Sequence, residues 1–232
     1  MKRFWREVQV AKLDDGRVTV ALDGKPIRTP ARRVLSLPNR ALGEAIAEEW
    51  SAQRDEVVPA TMPLTRLVST AIDRVSEARA SVVAEIAGYG DCDLLCYRAS
   101  SPPELVARQA EVWQPLLDWA QLRFEGALRV TNGLGPLSQP PASLAAIRAA
   151  VGDYDAWMLT GLHVATTVTG SVIVGLALAE GHLDADAAWA AGQLDETFQI
   201  ERWGEDAEAT IRRAAQRSEI ADAARLMALA RA

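Results

Sequence analysis

The stretch that decides the fold class is "EVQVAKLDDGRVTVALDGK", residues 7–25. Apolar and polar residues alternate on both sides of one Asp-Gly pair, and a second Asp-Gly pair follows the second run directly. Asp-Gly between alternating runs is typical of a tight hairpin turn, because the turn positions favour a positive φ angle. We therefore predict a small antiparallel β-meander, with Val18, Val20 and Leu22 on one face of its central strand.

A helix follows the meander and is predicted to cover its apolar face. Asn39 has the side chain of a helix N-cap, and its amide oxygen can accept a hydrogen bond from the first turn. The apolar residues after it recur at helical spacing and form one stripe: Leu42, Ala45, Ile46 and Trp50. This helix completes a compact β-rich head.

The rest of the chain is predicted to be helical. An apolar stripe runs from Leu64 to Ile86 and should end at Gly88 or Gly90, and Ser101 is predicted to cap the next helix. Three more helical runs are predicted at 144–151, at 154–179, and from an Asp184 cap towards the C-terminus. The predicted fold class is α+β: a small antiparallel β-rich N-terminal domain with one covering helix (1–60), followed by a larger all-helical C-terminal domain (61–232).

Composition excludes several classes of protein. The chain has 232 residues, 49% of them hydrophobic, and a net charge of −6, whereas nucleic-acid binding needs a surplus of Lys and Arg on one face. The opening residues "MKRFWREVQV" lack the apolar core of a signal peptide, which favours a cytoplasmic protein. The apolar run "VATTVTGSVIVGLALAEG" from Val164 is interrupted by Thr and Gly, so we expect a buried central helix with close helix contacts and no membrane insertion.

The two cysteines lie together in "GYGDCDLLCYRA", residues 88–99. Three residues separate them, which is not the Cys-x-x-Cys spacing of redox motifs or zinc knuckles, and no second Cys/His pair exists to complete a tetrahedral site. We expect both thiols to pack in the core, with no catalytic or metal-binding role. The alternative is a metal- or thiol-dependent hydrolase that uses Asp91, Cys92 and Cys96. His163, inside the apolar run, is expected to be a core histidine.

The other unusual stretch is the acidic "LDETFQIERWGEDAEATIRR", residues 194–213. If it continues the preceding helix, one stripe holds six residues: Trp189, Glu196, Ile200, Trp203, Ala207 and Ile211. A carboxylate on an apolar face is costly unless it is paired or open to a partner. Two interpretations follow. The segment is either a solvated acidic face on which an internal arginine holds Glu196, or a docking face for another protein. In the second case aromatic side chains would anchor the partner and the acidic residues would attract it electrostatically.

Six motifs in order along the chain carry a family resemblance: "RFW", "DGKPIRTPAR", "MPLTRLVSTAIDRV", "DLLCYRA", "WQPLLDWA" and "LDETFQIERWGED". They resemble the ATP-twelve family of ATP synthase assembly chaperones. The resemblance implies a β-rich N-terminal domain, a helical C-terminal domain, and binding of the unassembled α subunit of the F1 sector before it joins β. It also implies a monomer that is not an enzyme, uses no cofactor or nucleotide, and comes from an α-proteobacterium-like cytoplasm; eukaryotic relatives work in the mitochondrial matrix.

The resemblance further implies that the acidic stretch matters for function. Carried onto the matching positions, the expected partner-binding residues are Asp195, Glu196, Trp203, Glu205 and Asp206. A structural subunit that stays in a stable complex is the other alternative to a chaperone. The basic run Arg28, Arg32 and Arg33 could serve partner binding or only cover the sheet.

Overall fold

The computed structural model describes residues 2–133 and 135–232. The described residues form three strands and ten α-helices. The strands are β1 Val8–Lys12, β2 Val18–Leu22 and β3 Lys25–Pro26. The helices are α1 Arg40–Ser51, α2 Pro63–Thr70, α3 Arg79–Gly88, α4 Pro103–Phe124, α5 Pro141–Gly152, α6 Ala156–Thr169, α7 Val172–Ala179, α8 Ala185–Gly192, α9 Leu194–Trp203 and α10 Ala207–Arg231.

The chain packs as two compact units. The strand-containing unit comprises Met1–Arg79, Asp155–Gly161 and Arg225–Ala232. The helical unit comprises Ala80–Tyr154 and Leu162–Ala224. Both units are therefore assembled from separate stretches of the sequence. The single boundary between residues 60 and 61 stays a prediction about folding domains.

The strand-containing unit holds the predicted meander, which is confirmed. The sheet order is β1-β2-β3, both pairs are antiparallel, and Val10 lies opposite Val20. Every residue of β2 is buried, and α1 covers the sheet so closely that a Cβ added at Gly43 would lie 3.1 Å from Val10 Cγ1. The core of this unit is built from large apolar side chains: Trp5, Val18, Val20, Leu22, Ile27, Leu35, Leu37, Leu42, Ala45, Ile46, Leu64, Val68 and Leu226.

Polar side chains fix the helix starts around this core. Asn39 caps α1 as predicted, accepting from the Leu42 N–H at 2.9 Å, and its amide donates to the Leu229 carbonyl at 2.8 Å. The buried Glu49 carboxylate accepts from the backbone N–H groups of Leu64 at 2.7 Å and Thr65 at 2.8 Å. Glu49 thereby satisfies the first N–H groups of α2, which have no partner inside the helix.

The helix predicted from Leu64 to Ile86 is divided. A π-helical turn, Ala71–Val75, follows α2, and the Ser76 N–H bonds to the Ala71 carbonyl at 3.0 Å. The predicted end is confirmed, since α3 stops at Gly88. The predicted Ser101 cap is wrong: Pro102 occupies the N-cap position of α4, and no side chain caps that helix.

The single helix predicted at 154–179 is also wrong. The run is split into α6 and α7 at Gly170, which adopts φ +70, and the Ser171 hydroxyl then caps α7 by accepting from the Val174 N–H at 3.1 Å. A left-handed glycine ends a helix without strain, and a serine N-cap starts the next one. Among the described residues, no helix is both long and apolar enough to cross a membrane.

The break returns α7 against α6 at very short range. A Cβ added at Gly175 would lie 2.5 Å from Thr166 Oγ1 and 2.9 Å from Leu162 Cδ1. The prediction of a close helix approach through small residues is confirmed here. Gly192 on α8 repeats the arrangement, with an added Cβ 2.7 Å from Thr169 Cβ.

A buried carboxylate ties this break to the cysteine segment. Asp93 is fully buried, and its Oδ1 accepts from the Leu95 N–H at 3.0 Å and from the Ser171 hydroxyl at 2.8 Å. Its Oδ2 accepts from the Ile173 N–H at 3.2 Å, in the first turn of α7. Burial raises the pKa of Asp93 to about 6, and these hydrogen bonds oppose that effect by stabilising the charged form.

We predict that Gly175→Ala lowers the free energy of unfolding by about 1–3 kcal/mol, because the new methyl group overpacks the α6–α7 contact. The measurement is chemical denaturation of the full chain. Gly88→Ala is the matched control, since a Cβ at Gly88 meets nothing within 4 Å. It should be neutral or stabilise by up to about 1 kcal/mol. Equal effects of the two substitutions would contradict the close approach.

We predict that Asp93→Asn destabilises the protein by about 1–3 kcal/mol at pH 7, since the new NH2 group opposes a backbone N–H donor. The pKa of Asp93 is raised in the folded state, so between about pH 4 and pH 6 only the folded chain holds this proton. The part of the stability that depends on this proton is therefore complete below about pH 4 and is lost as the pH rises through 6.

The measurement is the free energy of unfolding from pH 4 to pH 7. The free energy of unfolding of wild type should exceed that of Asp93→Asn, and this difference should decrease by up to about 3 kcal/mol from pH 4 to pH 7. Asp91→Asn, an exposed acid in the same segment, is the control and should follow the wild-type profile. Parallel profiles for wild type and Asp93→Asn would refute the assignment.

Candidate functional site

The acidic segment, residues 194–213, is not part of one long helix. α8 ends at Gly192, α9 spans Leu194–Trp203, and Gly204 with φ +83 turns the chain before α10 begins at Ala207. The predicted stripe from Trp189 to Ile211 is therefore wrong. The predicted Asp184 cap is confirmed, since its carboxylate accepts from the Ala187 N–H at 2.8 Å.

The first turn of α9 is anchored to α4. Leu194 and Phe198 are buried, which gives α9 its inner face. Asp195 Oδ1 accepts from Gln109 Nε2 at 2.7 Å. One turn further on, Arg108 of α4 pairs with Glu201 at 2.8 Å. Asp195 is thus held by a hydrogen bond inside the helical unit and is only partly exposed.

Arginines of α10 hold the opposite side of α9. Glu196 pairs with Arg212 at 2.6 Å and with Arg213 at 3.4 Å. The Arg213 side chain is only 15% exposed, and it also contacts Glu205 at 3.2 Å and donates to the Thr197 hydroxyl at 2.9 Å. An arginine does hold Glu196, as the first interpretation of this stretch expected. About a third of the Glu196 side chain, 34%, nevertheless stays exposed.

The turn between α9 and α10 is built by its own acids. Asp206 caps α10 by accepting from the Ala209 N–H at 2.8 Å. Glu205 accepts from the Thr210 hydroxyl at 3.0 Å, in addition to its contact with Arg213. The carboxylates therefore order a tight helix–turn–helix.

Trp203 is the exception among the five expected residues. It is the last residue of α9, and 76% of it is exposed. A tryptophan buries a large area when a partner covers it, which is why tryptophan is frequent among the residues that dominate binding energies. The structure thus brings all five expected residues onto α9 and the turn that follows it, with different roles. Asp206 caps α10, the other three acids bond to side chains of the helical unit, and Trp203 is largely exposed.

The sequence prediction omitted several residues that hold this region together: Arg108, Gln109, Glu201, Arg212 and Arg213. Arg213 was signalled by the basic pair in "ATIRR", which closes the acidic stretch at its C-terminal end. Gln109 carries no comparable signal. Its contact with Asp195 spans 86 positions of the sequence.

The structure places the two cysteines in different environments. Cys96 is fully buried as expected, but Cys92 is exposed, so the prediction of two core thiols is wrong for Cys92. Burial, with the nearby Asp93 carboxylate second, raises the pKa of Cys96 to about 12. Because the thiolate is the nucleophile, a thiol with that pKa is a poor catalytic group at neutral pH. Over residues 2–133 and 135–232, no three His, Cys, Asp or Glu side chains are grouped to hold a metal ion.

His163 is also placed differently from the prediction of a core histidine. Its side chain is 35% exposed, and Nε2 lies 3.1 Å from Glu85 Oε1 on α3. The sequence prediction missed this acid because it lies 78 residues away. The pair lies at the surface.

Comparison with known proteins identifies the family of this chain. The sequence profile described as ATP12 chaperone protein matches residues 2–121. The mitochondrial protein atp12 of Schizosaccharomyces pombe is 27% identical over 215 residues, which are 88% of this chain and 74% of that protein.

Two solved structures are similar over almost the whole chain. The crystal structure of Atp12 from Paracoccus denitrificans is 43% identical, covers 99% of this chain and 98% of its own, and superposes with a TM-score of 0.95. The crystal structure of Atu1473 from Agrobacterium tumefaciens is also 43% identical, covers 98% and 85%, and has a TM-score of 0.91. The α+β fold class predicted from the sequence is confirmed by these structures. The chain therefore belongs to the ATP12 family of chaperone proteins.

Proposed function

We propose that this chain is an ATP synthase assembly chaperone that binds the unassembled α subunit of the F1 sector. In this role it shields the surface of α that later contacts β, and it leaves when β arrives. Membership of the ATP12 chaperone family supports the assembly role. The choice of α as client follows from the family resemblance of the sequence motifs.

The physical task is to occupy an adhesive surface for a limited time. A free subunit of an obligate complex exposes apolar area that would otherwise aggregate. The chaperone must compete with self-association of its client and still release it, so an interface of moderate size with polar components suits the task. This activity consumes no nucleotide and needs no cofactor. We place it in a bacterial cytoplasm, carried out by a monomer.

Trp203 is the observation that carries the assignment of the docking surface. It is a large exposed apolar side chain at the end of a helix, next to a turn that carboxylate–arginine contacts make rigid. A preorganised turn costs little conformational entropy on binding, so most of the contact energy of its aromatic residue remains as affinity. Asp195, Glu196, Glu205 and Asp206 hold the turn and give its surroundings a negative potential, which favours a client surface with basic groups.

The experiment that tests the function is co-expression of the F1 α subunit with and without this chain. We expect the soluble fraction of α to rise when the chain is present, and the chain to be absent from the finished ATP synthase. An unchanged soluble fraction would refute the client. Retention in the mature enzyme would instead identify a structural subunit.

We predict that Trp203→Ala weakens binding to the α subunit by about 2 kcal/mol, roughly thirtyfold in Kd. The chain's own free energy of unfolding should change by less than about 0.5 kcal/mol, because the side chain is exposed. Leu122→Ala is the matched control: Leu122 is 87% exposed on α4 of the same unit. Its replacement should leave binding unchanged, and equal losses for the two variants would contradict the site.

We predict that Glu196→Lys weakens α-subunit binding and F1 assembly while the chaperone stays folded. The new ammonium group faces Arg212 and Arg213, so both the local potential and the α9–α10 contact change. Glu196→Gln removes the charge but adds no repulsion and should show an intermediate loss. The measurements are Kd by titration calorimetry and assembled F1 in cells, with circular dichroism as the folding control. Normal F1 assembly with folded Glu196→Lys would remove Glu196 from the site.

A further inference from the structure

The strand-containing unit carries an open groove of about 640 Å³ that the proposed function does not use. One wall is the loop after β3, with Arg28 and Pro30. The other wall is the outer face of α2 and the π-helical turn, with Arg66, Thr70 and Arg74. We call it the basic groove, defined by Arg28, Arg66 and Arg74.

The two walls are fixed to each other by Asp73. Its Oδ1 accepts from the Thr29 hydroxyl at 2.7 Å, and its Oδ2 accepts from the Ala31 N–H at 3.0 Å. Arg33 adds a second tie by donating to the Ile72 carbonyl at 3.0 Å and pairing with Glu77. Of the basic run, Arg33 is thus structural. The groove is preformed, so a ligand would not have to order it.

The described lining of the basic groove has a net positive charge, with three arginines and one acid, Asp73. Both oxygens of Asp73 are engaged by the loop. The guanidinium groups of Arg66 and Arg74 form no hydrogen bond or ion pair with the described residues. Arg28 donates only to the Arg32 carbonyl, at 2.8 Å. Some exposed arginines elsewhere in this unit pair with carboxylates, as Arg40 does with Glu44 at 2.6 Å, so the basic groove is distinguished by the way its unpaired arginines lie together.

The available donors of the groove are spread along it. The neighbouring hydroxyl groups are already used, since Thr65 donates to Glu49, Ser69 to the Thr65 carbonyl and Thr70 to the Arg66 carbonyl. Arg66 and Arg74 are eight positions apart in a helical stretch, which separates their backbones by about 12 Å along the axis. A compact anion needs convergent donors, whereas a series of guanidinium groups matches several successive carboxylates.

We propose that the basic groove binds an acidic segment of a partner protein, with Arg66 and Arg74 pairing with successive Asp or Glu carboxylates. Arg28 contributes from the opposite wall. The π-helical turn that carries Arg74 fits a binding role, because such turns are often found at functional sites. This surface is separate from the acidic segment and does not depend on which client the chaperone takes.

The test is binding of a fluorescein-labelled peptide in which glutamate alternates with alanine, followed by fluorescence anisotropy at low ionic strength. We expect saturable binding that weakens as salt is added. The double variant Arg66→Ala, Arg74→Ala should raise Kd by about tenfold or more. The matched control is Arg17→Ala, Arg40→Ala, which removes the same charge from the same unit at arginines that already have acid partners. It should change Kd by less than about twofold.

Arg66→Gln, Arg74→Gln is a second double variant that keeps polar side chains, and it should lose binding to a similar extent. Circular dichroism of each variant confirms that the fold is kept. Equal binding of a peptide with glutamine at every glutamate position would overturn the proposal. An equal loss in the control double variant would do the same. Competition by inorganic phosphate at concentrations near the peptide Kd would identify a small-anion site and also overturn it.

Discussion

The buried carboxylate of Asp93 is the interaction on which the helical unit depends. Burying a charge is costly unless donors surround it, and here a hydroxyl and two backbone N–H groups do so. These donors come from Leu95 beside it and from Ser171 and Ile173, about 80 positions further along the chain. One side chain therefore fixes the loop after α3 and the start of α7. The break between α6 and α7 and their close contact at Gly175 rest on the same anchor.

Other acids of this chain are used in the same way. Glu49 satisfies the start of α2, Asp73 holds the loop after β3, and Asp206 caps α10. Part of the net charge of −6 therefore comes from acids that hold the fold together. Each of these acids contributes more stability than an exposed ion pair, because it satisfies backbone donors. Features at the surface that these contacts do not use include the exposed Trp203 and the arginines of the basic groove.

The acidic segment shows how far sequence reasoning reaches into a site. Its composition and order picked out five candidate residues that the structure brings together, since Trp203 and the acids around it lie on α9 and the following turn. Their roles depend on residues elsewhere: Gln109 holds Asp195, and Arg213 joins Glu196 to Glu205. No periodicity in the segment itself encodes these partners. The expected single stripe failed at Gly204, whose positive φ angle redirects the chain.

The sequence by itself determined the local features of this protein. The Asp-Gly turns, the Asn39 and Asp184 caps and the end of α3 at Gly88 depend on residues within a few positions of each other, and all were predicted. Only the tertiary structure decided where a long apolar run breaks, why Cys96 is buried while Cys92 is exposed, and what Asp93 does. The physical reason is range: turn and cap preferences are set by neighbouring backbone groups, whereas burial and hydrogen-bond satisfaction are set by whatever the fold brings alongside.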